Sequence, residues 1–209
     1  MSIPGNSKHN GFTLVETMVT IAIFTLLLGG VITLFIAVIK TPAQQLLSAD
    51  NVDQARKVLA SFTNEMRNSL PANDGSYQLT QASDSQIVFY SSYGASGTIV
   101  YRIRYYLSGT TLYKGVVVPT GSPLVYNLAG EVVTPVQYNV SNGSTPVFYY
   151  YDDTYSGVSS PLVQPVNLTQ IKFVKINLII LKQNSANNTS TFTIDGGAAI
   201  RSLKTNLGN

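Results

Sequence analysis

The sequence predicts an α+β protein: a long N-terminal helix, transmembrane in its first half and amphipathic in its second, packed on an antiparallel β-sheet head. Three observations predict it. No charged residue occurs from Thr17 to Ile39, a run of 23 positions. Apolar residues then return every three or four positions between Val52 and Met66, which marks one face of a helix. Past Leu70-Pro71 the chain divides into short runs rich in Val, Ile, Thr, Tyr and Phe, separated by Gly, Ser, Asn and Pro.

Residues 1–11 (MSIPGNSKHNG) are short and polar, with Lys8 and His9 as the only charged or chargeable side chains, and read as a leader. As a helix, the charge-free run spans about 35 Å, enough to cross a hydrocarbon core of about 30 Å. A secretory signal has an apolar core of about 7–15 residues followed by a small-residue cleavage site. Here the run is longer and no such site precedes Lys40. The transmembrane segment is therefore assigned to residues 12–40, with an uncleaved signal anchor as the open alternative.

Thr41-Pro42 is expected to kink or briefly interrupt the helix, because proline removes a donor and clashes with the preceding turn. An amphipathic segment over residues 41–70 follows. Val52, Ala55, Leu59, Phe62 and Met66 form its stripe, while Asp50, Asp53, Gln54, Arg56, Lys57, Ser61 and Asn64 populate the other side. Such a helix lays its stripe on a folded head, here residues 71–209. Leu70-Pro71-Ala72-Asn73-Asp74-Gly75 ends it with turn residues. Strands are expected over 87–90, 99–106, 111–118, 132–140, 147–151, 171–181 and 190–194. The short Leu107–Thr111 connection makes 99–106 and 111–118 a hairpin. In 171–178 the alternation slips at Val174-Lys175, which marks a candidate bulge.

The 209 residues suffice for one compact head with a helical appendage. Only 11% are charged, against roughly 25% in an average soluble domain, and 44% are apolar. Thirteen Lys and Arg against ten Asp and Glu give a net charge of +3, spread in ones and twos, so no basic patch reads as a nucleic-acid footprint. With no cysteine, the chain can hold neither disulfides, thiolate zinc sites nor a cysteine nucleophile.

The one histidine lies in the leader and the carboxylates are dispersed. No catalytic set, metal set or cofactor is expected, and the chain reads as a non-enzyme. Asp152-Asp153, the one acidic pair, fits either calcium through oxygen ligands or a solvated turn bonded to nearby amides. The tyrosines around Arg102 and Arg104 fit either stacking on single-stranded nucleic acid or the filling of strand faces and interfaces.

The most specific signal runs from Lys8 to Phe24, KHNGFTLVETMVTIAIF. Glycine at position 11 lets a peptidase approach the backbone closely, and a cut there leaves the membrane helix on the mature chain. Glu16 stands at the lip of the apolar run with no basic residue within helical reach. A carboxylate near hydrocarbon is costly unless it is paired or snorkels to the headgroups.

This stretch resembles the type IV prepilin N-terminal signature, a short basic leader ending in Gly and followed by Phe-Thr-Leu-(Ile/Val)-Glu. The resemblance implies a cut between Gly11 and Phe12 by a membrane-embedded aspartyl prepilin peptidase and methylation of the Phe12 amine. It also implies pairing of Glu16 with the Phe12 amine of a neighbouring subunit. The mature chain then keeps 198 of the 209 residues. Its place is the inner membrane, as a single-pass protein with an extracytoplasmic head, and then a pilus or type II secretion pseudopilus.

More loosely, Ala55–Asn68, Tyr101–Leu107, Phe148–Asp152 and Ile200–Asn206 resemble minor pilins and pseudopilins of the PulJ, GspJ or PilW group, placed by that family at or near the filament tip. The implied partners are the prepilin peptidase, other pilin subunits, the inner-membrane assembly platform and membrane lipid, with nucleic acid left open. A tip module for DNA uptake or adhesion, and a signal-anchored extracytoplasmic β-domain, are the alternatives.

Overall fold

In the computed structural model residues 13–94, 99–183 and 189–201 are described, without the side chains of 39–50, 182, 183 and 189. The chain divides into two compact units, Met1–Leu46 and Leu47–Asn209. A single helix, α1, runs over Leu14–Arg67.

In the first unit, Leu14–Val38 has a mean hydropathy of 2.7 and none of it is buried. Its 25 residues are long and apolar enough to cross a membrane. Hydrocarbon offers hydroxyl groups no partner, so the threonines of the span must satisfy themselves locally. They do so by donating back along the helix. Thr17 bonds the carbonyl of Leu14 at 2.8 Å, Thr20 that of Glu16, Thr25 that of Ile21, and Thr33 those of Gly29 and Gly30. The helix continues through Gly29-Gly30 and through Pro42, without the brief interruption that is one of the two expectations there. One N–H is lost there, and the segment that follows, Ala43-Gln44-Gln45-Leu46-Leu47, has high helix propensity.

The second unit holds two antiparallel sheets where the sequence suggested one. The first contains β1 (Leu79–Ala82), β2 (Gln86–Ser91), β3 (Tyr101–Ser108), β4 (Thr111–Val117) and β5 (Val132–Gln137), in chain order. The second contains β6 (Phe148–Tyr151), β7 (Phe173–Gln183) and β8 (Thr189–Ala199). The expected hairpin is β3–β4, closed by the Ser108↔Thr111 pair. Gly109 takes φ +58 at the first loop position, as a two-residue II′ turn requires.

The strand expected over 132–140 stops at Gln137. Beyond it Asn139 takes φ 59, and Val140 instead bridges Ile180 in β7. The buried Asn142 side chain donates to the Asn177 carbonyl at 3.0 Å and accepts from the Ile179 amide at 2.9 Å. Those bonds tie the link between the sheets to β7.

The bulge expected at Val174-Lys175 is absent. β7 pairs without a register shift with β6 and β8. Val174, Ile176, Leu178 and Ile180 alternate inward, while Phe173 lies outward against Tyr151 and Tyr155. The apparent slip comes from Ile171, which is buried but precedes the strand.

Both sheets turn their inner faces to one stripe of α1, formed by Ala55, Val58, Phe62 and Met66. Phe62 is fully buried, and its ring meets Phe89 at 6.1 Å and Tyr105 at 5.4 Å in the first sheet, and Phe148 at 5.8 Å in the second. Leu59 packs beside them over Gly196 of β8, where a Cβ would come within 3.0 Å of its methyl group. Pro135 lies in β5 at a sheet edge, where a missing donor is tolerated.

Phe62→Ala is expected to lower stability by about 3–5 kcal/mol through the cavity it leaves. Arg56→Ala, at an exposed site of the same helix, should change it by less than about 0.5 kcal/mol. Urea unfolding of the detergent-solubilised chain followed by tyrosine fluorescence checks both.

Candidate processing and assembly site

The N-terminal site is built by the first turn of α1. Thr13 is its N-cap: the side-chain oxygen accepts from the Glu16 amide at 3.3 Å, and the Thr13 carbonyl accepts from the amides of Glu16 and Thr17 at 3.0 and 3.2 Å. Thr13-Leu14-Val15-Glu16 thus has the S/T-x-x-E spacing of a capping box, with Glu16 at the third helical position. There the positive end of the helix dipole favours its negative charge. Glu16 is exposed, and it is the only charged residue between Leu14 and Val38. Gly11 and Phe12, the expected processing residues, lie outside the described residues.

The head holds an ionic cluster that the dispersal of carboxylates along the sequence concealed. Glu65 is 3% exposed. Its carboxylate accepts from the Ser61 hydroxyl at 2.7 Å, from the Tyr105 hydroxyl at 2.9 Å and from the Lys114 ammonium. The spacing from Val58 and Phe62 puts Glu65 on the buried stripe, a signal that helical periodicity could have supplied. A buried carboxylate is tolerated only with a counter-charge and hydrogen bonds, and Glu65 has both.

Across the first sheet, Glu131 binds Arg104 through Nε at 2.9 Å and a second guanidinium nitrogen, and lies 3.6 Å from Arg102. Gly115 makes room for it, since a Cβ there would meet the Glu131 carboxylate. This bidentate pairing pushes the Arg104 pKa up. Arg104 also lies 4.1 Å from the centroid of the Tyr106 ring, which stacks on Tyr113. Arg104 is thus taken up by Glu131 and Tyr106, Arg102 lies against Glu131, and Tyr105 is bonded to Glu65.

Asp152 accepts from the amide and hydroxyl of Thr154, at 3.0 and 2.6 Å, and these bonds lower its pKa. Such an arrangement is a self-bonded turn. Among the described residues no group of three or more His, Asp or Glu side chains comes together as a metal site.

Burial raises the hydroxyl pKa of both Tyr105 and Tyr150 well above the usual value, the nearby carboxylates Glu65 and Asp84 adding to the effect. Tyr150 donates to the Ser83 carbonyl at 2.8 Å.

A family model described as the prokaryotic N-terminal methylation motif matches residues 6–32. No curated protein sequence matches the chain.

A phenol whose folded pKa exceeds its unfolded value contributes stability below that unfolded value and loses it as pH rises. The unfolding midpoint should therefore fall above about pH 10, and more shallowly in Tyr150→Phe than in the parent. Denaturant titrations over an alkaline pH series measure the difference.

Proposed function

We propose that this type IV prepilin-like chain is a structural minor pilin or pseudopilin of a type IV pilus or type II secretion-like filament, acting by assembly and not by catalysis. The match at residues 6–32 carries this reading, because it falls on the leader and on the start of a Thr13-capped helix whose apolar run is broken only by Glu16.

Residues 1–11 are the leader. Prepilin peptidase cuts between Gly11 and Phe12, and the new Phe12 amine is methylated. Residues 12–40 anchor the chain in the inner membrane, with the head outside, and enter the filament core on assembly. Residues 41–70 carry the head, 71–209.

The chemistry of the first turn supports the assembly step. Among the described residues Glu16 has no ion-pair partner, and a carboxylate leaving the headgroup region for an apolar filament core needs one. A free amine at Phe12 of the adjacent subunit supplies it, and the attraction strengthens as water is excluded. The carboxylate therefore favours the packing that brings a neighbour's N-terminus to it.

Gly11→Val is expected to leave a full-length precursor in the membrane. Glu16→Ala should be cut normally yet be lost from sheared filaments, while head mutations leave cleavage intact. Immunoblots of membrane and sheared fractions separate the cases. Full incorporation of Glu16→Ala would remove the assembly role.

A further inference from the structure

Between α1 and the β4–β5 side of the first sheet lies a cleft of about 370 Å³, lined by Gln54, Lys57 and Ser61 on the helix and by Lys114, Thr134 and Val136 on the strands. Its floor is the Lys114 ammonium, 20% exposed at the side chain. An ammonium has three donors, and among the described residues only Glu65 takes one of them. On its other side the ammonium lies 5.7 Å from the Tyr105 ring centroid. Lys57 stands exposed at the rim and makes no ion pair among the described residues. The lining thus holds two ammonium groups, of which Lys114 is met by Glu65 while Lys57 has no ion-pair partner among the described residues.

We propose that this cleft receives an acidic side chain of a neighbouring filament subunit. The inference rests on the assembly reading and names a head-to-head contact within it. An aspartate or glutamate carries a short apolar stem and an anionic tip. The tip meets the spare donors of Lys114 and the ammonium of Lys57, and the stem lies against Val58 and Val136. Two lysines act as point charges and do not impose the fixed planar fork of an arginine pair, so the geometry accepts either acid. The Gln54 amide flanks the opening and supplies a further donor. The contact guides which subunit sits beside this head, because charge complementarity at a partly exposed site contributes more to partner choice than to raw affinity.

Zero-length carbodiimide coupling joins an amine to a carboxylate only where they touch. It would be applied to membranes of cells assembling the full chain, with peptide mass spectrometry as the readout. The expected product is an isopeptide between Lys57 or Lys114 and an acidic residue of another chain, alongside an intrachain isopeptide between Lys175 and Asp195, an accessible pair 2.7 Å apart that reports an intact head. Thr134→Glu places the chain's own carboxylate at the cleft and should abolish the interchain product, whereas Thr134→Gln should keep it.

The intrachain product without any interchain one, or an interchain product indifferent to Thr134→Glu, overturns the proposal. The same spectra read the N-terminus. A methylated Phe12 start with no interchain product removes the cleft contact alone, and an unprocessed start with none removes the assembly reading as well.

Discussion

Phe62 is where the two sheets become one head. Its ring touches Phe89 and Tyr105 on one side and Phe148 on the other, so neither sheet buries its inner face without this helix. Each sheet has a four-residue edge strand, β1 in the first and β6 in the second, and an apolar face that needs a partner for stability. Each gains it by covering the same stripe of α1. The fold of Leu47–Asn209 is therefore contingent on a helix that also carries the membrane-competent segment.

The same helix solves two different solvation problems with local chemistry. Near its start, threonine hydroxyls return their donors to carbonyls one turn back, which leaves an apolar surface suited to lipid or to other helices. Near its end, Glu65 enters the core only because Lys114, Tyr105 and Ser61 meet it there. Glu16 stands apart from both solutions. Its own first turn stabilises its charge through the capped helix end, yet no cation of the described chain answers it, which leaves that role to a neighbour in the proposed assembly.

Much of this was legible in the sequence because it rests on periodicity. The apolar run, the stripe from Ala55 to Met66 and the β3–β4 hairpin all follow from spacing and turn residues. What escaped depends on contacts distant in sequence. β1 is four residues of Leu-Thr-Gln-Ala, with no β-branched run to announce it. β8 continues to Ala199 through Gly196-Gly197, which weaken strand propensity, but Gly196 gives Leu59 its place and Gly197 the Phe173 ring. The split into two sheets turns on Asn139 and Asn142, whose backbone geometry and amide bonds carry no pattern signal. At the N-terminus the motif was readable residue by residue, while the Thr13 cap behind it adds a structural reason for threonine at that place.

The account stands most directly on one quantity, the intact mass of the protein recovered from its own cells, read together with its N-terminal peptide. It predicts a chain of 198 residues that begins at Phe12 and carries one methyl group on its amine. A chain that still begins at Met1, or one cut after Ile39, would contradict it and leave a β-rich head that is merely anchored or secreted.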